Sequence, residues 1–314
     1  MVFFKSALLF ATTLIHLVSA QVGPGRVTGD IAAHDPTLCK DNNGKYYLFS
    51  TAPGLDIRTS TDRIHWTLEG RVWPNGGATW TDEYTGTRDG NLWAPECYYT
   101  GQEFWLYYSA SSFGSQKSAI FLAKSTTGSP GTWTHLGMVT STAPRTHDYN
   151  AIDPNLFIEN GNWYLSLGSY WTGIKLLRLD PATGKPLSNA LISLARRTAN
   201  SGAVEASTIY KNGNYYYLFT SWDNCCRGTN STYNIRVGRS SRADGGYVDQ
   251  NGVALTNGGG TLVLATHSRA IGPGGQDVYT DNDGPILVYH HYTSAGHALG
   301  INRLSFANGW PVVV

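Results

Sequence analysis

Asp35, Asp153 and Glu205 recur with the period of an internal repeat. Each stands eight or nine residues before a turn glycine that opens an aromatic, strand-forming run: Gly44-Lys45-Tyr46-Tyr47-Leu48-Phe49, Gly161-Asn162-Trp163-Tyr164-Leu165 and Gly213 to Phe219. Two further runs, Gly101 to Tyr108 and Gly284 to Tyr289, carry Trp93 and Gln276 at the corresponding place. An Asp-Pro pair commonly just starts a strand. Three acids in register do more, because like charges brought together raise a pKa, and such strain marks chemical sites. One protonated carboxyl beside one ionised carboxylate is the equipment of glycoside hydrolysis. Acids facing each other across a channel several strands wide favour a separation of about 6.5 to 9.5 Å, which admits a water and inverts the anomeric carbon.

The elements that position these acids follow from the repeat. Its glycines are spaced by 57, 60, 52 and 71 residues, enough for one four-stranded blade and its loops each time. Every repeat has a later part as well: Ser60-Thr61-Asp62 to Trp66, Ser125 to Trp133, Arg178 to Gly184, Gly238 to Gly246, and Asn302 to Trp310. Short runs rich in Tyr, Trp, Phe, Val, Ile and Thr lie between, bounded by Gly, Asn, Asp and Pro, which is how strands and hairpins read. No long 3.6-residue period appears after residue 20. The expected fold is all-β, a five-bladed β-propeller in which the strand opening each blade lines a central channel. On this count Asp35, Trp93, Asp153, Glu205 and Gln276 share one height, and the three acids converge at one mouth.

Charge and compartment narrow the substrate. Residues 1–20 carry Lys5, an apolar run from Ala7 to Val18 and the small-residue ending Val18-Ser19-Ala20, the pattern of a secretory signal peptide. The run is shorter than the roughly 20 residues that span a bilayer. Without the leader, residues 21–314 hold 22 basic and 22 acidic side chains and no linker, which reads as a single catalytic domain. A neutral surface without Lys/Arg clusters argues against nucleic acid and membrane partners and suits an uncharged substrate. Abundant Trp (10) and Tyr (19) suit sugars, whose C–H faces pack on rings. Four cysteines allow three pairings, and Cys39 and Cys97 share an offset in neighbouring blades, leaving Cys225 and Cys226 as a vicinal pair. The C-x-x-C spacing of a zinc site is absent. Asn230-Ser231-Thr232 is a glycosylation sequon expected on an exposed loop.

At this level of detail the chain resembles arabinan endo-1,5-α-L-arabinosidases of glycoside hydrolase family 43. The resemblance rests on ordered segments: His34-Asp35-Pro36, Asn91 to Glu96, Asn150 to Asn155, Gly168-Ser169-Tyr170-Trp171-Thr172-Gly173-Ile174, Val204-Glu205-Ala206, Ser221 to Gly228, Ser231 to Ser240, Val288-Tyr289-His290, and the closing Trp310-Pro311-Val312. It implies an inverting mechanism in which Asp35 is the general base, Glu205 the general acid and Asp153 the carboxylate that keeps the acid protonated and oriented. It also implies that Trp93, Phe113, Gly114, Asn150, Ser169, Tyr170 and Trp171 line the substrate groove. His290 is expected near a calcium or other cation in the channel, with no organic cofactor. The pattern departs at Gly275, where many relatives carry His, and at Ser207, where many carry Pro.

The implied substrate is arabinan and the expected protein a secreted monomer. Three rivals stand beside that reading. An exo-acting α-L-arabinofuranosidase or β-xylosidase shares the fold and differs in its loops. A sugar-binding propeller lectin needs aromatic and polar groups but no trio of acids. A calcium cage would make the acids structural.

Overall fold

The computed structural model describes residues 22–314, so the leader lies outside the described residues. Five sheets follow one another along the chain, antiparallel except where Thr28–Gly29 runs parallel to the outer strand of the first. Blade I is built from Thr37–Lys40, Tyr46–Ser50, Asp56–Ser60 and His65–Arg71. Blade II contains Asn91–Tyr99, Phe104–Ala110, Ser118–Ser125 and Thr134–Thr142. Blade III contains Asn155–Glu159, Asn162–Leu167, Ile174–Leu179 and Ile192–Ala195. Val204–Asn212, Tyr215–Trp222, Asn234–Ser240 and Thr261–Leu264 form blade IV. Blade V is Ile271–Asp281, Gly284–Thr293, Gly296–Ser305 and Val312–Val313. This is the expected five-bladed β-propeller. The repeat glycines Gly44, Gly101, Gly161, Gly213 and Gly284 all have positive φ, from +58° to +110°, at the hairpins joining the first two strands of each blade.

Alternation along each strand feeds two cores at once, because successive side chains point to opposite faces of a sheet. Phe104 and Leu106 pack with Phe49 and Ile57 of blade I, while Trp105 and Tyr107 pack with Leu165 and Leu177 of blade III. The same division gives an apolar cluster between blades III and IV, another between IV and V, and a fifth, around Trp66, Val288 and Leu299, between V and I. With both faces buried, the strands read as continuous apolar runs.

The ring is closed by the segment before blade I. Gly25 N donates to Ile301 O (2.9 Å), and Leu299 N to Ile31 O (2.8 Å), tying this strap to blade V. Thr28 and Asp30 donate through their amides to Ile64 O and Trp66 O, both at 2.8 Å, tying it to blade I.

A second closure runs around the channel. Thr37, Glu96, Asn155, Thr208 and Asp277 occupy one level, one per blade, and each is bonded to a neighbouring blade. Glu96 Oε1 accepts from Leu156 N (3.0 Å) and Asn155 Nδ2 (3.1 Å), and Asn155 Oδ1 accepts from Ile209 N (2.9 Å). Thr208 Oγ1 donates to Gln276 O (2.8 Å), and Asp277 Oδ2 accepts from Leu38 N (3.0 Å). Thr37 Oγ1 accepts from Cys97 N (3.2 Å) and lies 3.0 Å from Asp277 Oδ2 and 3.3 Å from Glu96 Oε2. One hydroxyl hydrogen cannot serve two carboxylates. All partners are satisfied when Thr37 donates to Asp277 and a protonated Glu96 donates to Thr37. Burial, with the charge of Asp277, holds the Glu96 carboxyl well above its ordinary value. Cys39 and Cys97, bonded to each other with Cα atoms 5.9 Å apart, join blades I and II just outside this level.

A proton held more tightly by the folded chain stabilises it fully below the unfolded value, about pH 4.5. The contribution is lost as pH rises through the raised folded value. Glu96→Gln, which always carries a donor, should therefore flatten the fall in thermal midpoint between about pH 5 and pH 8. Glu96→Ala strands the Asn155 and Leu156 donors and should cost about 3 kcal/mol in chemical denaturation.

Candidate functional site

Above the channel ring each blade contributes one residue in the left-handed region: Asp35 (φ 46°), Ala94 (38°), Asp153 (57°), Ala206 (50°) and Gly275 (56°). These positions, not those counted back from the hairpin glycines, are equivalent. The number of residues from each to its glycine varies between seven and nine, because the opening hairpins differ in length. Bulges in blades II, IV and V fall between Trp93 and Glu96, Glu205 and Thr208, and Gly274 and Asp277. Trp93 and Glu205 thus stand one residue before the equivalent place, and Gln276 one after it. Asp35 and Asp153 are true equivalents, and Glu205 comes to them from an adjacent position. A non-glycine residue in the left-handed region costs roughly 1–2 kcal/mol. Asp35 and Asp153 keep it because their backbone amides are tied down, to His290 Nδ1 (3.1 Å) and Ser109 Oγ (3.0 Å) respectively.

Asp35 is surrounded by imidazole and hydroxyl partners. Its Oδ2 accepts from His34 Nδ1 and Thr51 Oγ1, both at 2.8 Å, and its Oδ1 lies 3.3 Å from His290 Nδ1. Burial would push this carboxyl up, but His34 and His290 outweigh it and hold it well below the usual range. Room for it comes from Gly275, where any Cβ would stand 2.3 Å from Asp35 Oδ1 and 2.8 Å from His290 Nδ1. A side chain at Gly275 would therefore have to displace Asp35 or His290.

Glu205 is held between two hydroxyls. Ser169 Oγ donates to Oε2 (2.6 Å) and Tyr233 Oη to Oε1 (2.7 Å). Burial raises its pKa against those bonds, and the charge of Asp35 adds to the rise. Asp153 Oδ2 accepts only from Ala206 N (3.1 Å), and burial together with Glu205 and Asp35 pushes it well above the usual range. The two raised carboxyls influence each other's titration through charge. His290 is fully buried; burial holds its pKa at about 4, so the ring is neutral, and its Nε2 has no partner among the described residues. His34 stacks on His290 with centroids 3.9 Å apart, and His290 in turn faces Tyr233 at 5.8 Å.

The other expected site residues lie around this centre at different depths. Phe113 and Gly114 belong to the loop between the second and third strands of blade II, and Ser169, Tyr170 and Trp171 to the corresponding loop of blade III. Both loops rise on the face that carries the acids. Phe113 is 83% and Trp171 39% exposed, and Trp171 is presented by a left-handed pair, Tyr170 (φ 54°) and Trp171 (φ 43°). Trp93 is half-buried at the channel rim. Asn150 is buried beneath the loops with Oδ1 accepting from Ser118 Oγ (2.7 Å), and Ser169 touches Glu205 rather than open solvent. Asn230 is exposed on the blade IV loop.

Sequence reasoning assigned no role to His34, Thr51, Tyr233 or Tyr292. Tyr292 lies two residues beyond His290, on the same face of its strand, so period-two alternation was a usable signal. Tyr233 lay within a matched segment. Nothing in the local sequence marks Thr51. Below the acids the channel narrows to a cavity of about 30 Å³, too small for a sugar, so a glycan must lie across the mouth.

The profile of glycosyl hydrolases family 43 matches residues 26–311. An extracellular endo-α-(1→5)-L-arabinanase of Bacillus subtilis is 42% identical over 286 residues, spanning 88% of this chain and 86% of that protein. The family 43 endo-arabinanase of Bacillus licheniformis superposes with a TM-score of 0.85 at 41% identity, covering 91% of this chain and 99% of the other. An exo-1,5-α-L-arabinanase from a bovine ruminal metagenomic library gives 0.85 at 36% identity, covering 92% and 100%. The match over nearly the whole described chain, together with the acid-lined channel mouth, establishes that this protein belongs to glycosyl hydrolases family 43.

Proposed function

We propose that this protein is a secreted endo-1,5-α-L-arabinanase that hydrolyses arabinan with inversion. The observation that carries the reading is the electrostatic division of the site, with one carboxyl held low by two histidines and a buried pair held high a short way across the channel mouth. Asp35, ionised and braced by His34 and Thr51, takes a proton from the attacking water. Glu205 gives its proton to the departing sugar oxygen, and the Ser169 hydroxyl, able to accept as well as donate, serves both states of the acid. The charge of Asp153 keeps Glu205 protonated until the sugar departs. The bond of Asp153 to Ala206 N fixes the two carboxyls relative to each other. Secretion is supported by the leader and by the extracellular Bacillus relative, and no helix among the described residues is long and apolar enough to cross a membrane.

Asp35 N donates to His290 Nδ1, so the neutral ring carries its hydrogen on the buried Nε2, and that N–H does not fit the expected calcium, which takes oxygen ligands. The exo-acting ruminal enzyme has the same fold at the same TM-score, so the propeller itself does not separate the two modes of attack.

On linear arabinan, viscosity should fall faster than reducing ends accumulate, with a spread of oligosaccharides at early times. Arabinose alone from the first minutes would identify an exo enzyme. Proton NMR of the first product should show an inverted anomeric centre. Asp35→Ala and Glu205→Ala should each lower kcat by about 100- to 10,000-fold. On an arabinoside with a good leaving group Glu205→Ala should recover and Asp35→Ala should not; equal recovery would reverse the assignment. Trp171→Ala should raise KM about tenfold with kcat little changed, the signature of lost uniform binding.

A further inference from the structure

The loop that leaves blade IV at the acid-bearing face carries the bonded neighbours Cys225 and Cys226 at its tip. Its base is firmly held: Thr232 N donates to Asn224 O (3.0 Å), Arg227 N to Ser231 Oγ (3.0 Å), and Asp223 is paired with Arg197 at 2.6 Å. Cys226 has φ 67°, a conformation that an L-residue leaves unless something holds it. Its amide donates to Tyr292 Oη (2.8 Å), Tyr292 Oη is bonded to His34 Nε2 (3.0 Å), and His34 Nδ1 is bonded to Asp35 Oδ2 (2.8 Å). Cys226 Sγ itself rests 3.8 Å from His34 Nε2. The chain of contacts from the disulfide to Asp35 is unbroken.

We propose that the Cys225–Cys226 disulfide is a positioning element for catalysis, holding Asp35 through Tyr292 and His34, and that its reduction lowers turnover. The inference rests on Asp35 being the general base. A bond between adjacent cysteines closes an eight-membered ring around their peptide unit and so fixes the torsions that aim the Cys226 amide. A dithiol reductant supplies two electrons and two protons: the S–S bond breaks, two thiols form, and the reductant closes to its own disulfide. Cys226 is then free to leave the left-handed region, its amide turns from Tyr292, and His34 loses the anchor on its far nitrogen. The other bridge is protected, since Cys39 and Cys97 are 2% and 8% exposed, whereas Cys226 is exposed.

The test treats the native protein with dithiothreitol and counts free thiols by alkylation and mass spectrometry. With two thiols freed, kcat on arabinan should fall about fivefold with KM and thermal midpoint little changed. Tyr292→Phe should show a similar fall, and reduction should add nothing to it, because both changes break one chain of contacts. The double variant Cys225→Ser/Cys226→Ser reports the same quantity should the bond resist reduction. Unchanged kcat after loss of the bond, an equal further fall in Tyr292→Phe, or a change confined to KM would overturn the proposal. Asp35→Ala is run alongside: if it stays active, the general-base reading has failed, whatever the thiols do.

Discussion

The hydrogen-bonded ring at Thr37, Glu96, Asn155, Thr208 and Asp277 is the constraint on which the rest of the molecule depends. Apolar packing between blades is strong but non-directional, and neighbouring sheets could slide or tilt without losing much of it. Directed bonds from each blade to the next remove that freedom and set all five at one height. The acids sit two or three residues above this level, so any slip of a blade would change the distance between carboxyls on different blades.

Charge in the mouth is managed by pairing unlike environments. The stacked rings of His34, His290 and Tyr233 run from Asp35 to Glu205, presenting an imidazole N–H to one acid and a phenol O–H to the other. The raised Tyr233 pKa keeps that phenol a donor. One contiguous aromatic stack thereby holds two carboxyls of opposite pKa shift in place.

Much of this was legible in the sequence. The turn glycines and the doubly apolar strands disclosed the blades because both are local signals, a positive φ and a period of two. The acids were found, yet the register was off by one at Trp93, Glu205 and Gln276, since it was counted from the turn glycines and the opening hairpins differ in length. The Cys39–Cys97 pairing followed from matching offsets. What stayed hidden was non-local. Thr51 and Tyr233 act within their own blades on residues 16 and 28 positions away, and Tyr292 acts on His34, 258 positions away, through a contact that ring closure creates. Glu96 stood in a matched segment, but its need for a proton comes from burial inside the closed ring and from Asp277, 181 positions away.

The strap before blade I has a kinetic meaning. Its residues are the first of the described chain, yet their partners, Leu299 and Ile301, are among the last. Closing so long a loop is slow compared with forming a hairpin, so blades can form singly while the ring stays open. Asp35 follows the strap directly and takes its amide bond from His290 in blade V. An open ring would therefore contain nearly all the β-structure but lack the contacts that hold Asp35 to blade V, and competence should arrive as the final event of folding, when the two ends of the circle meet.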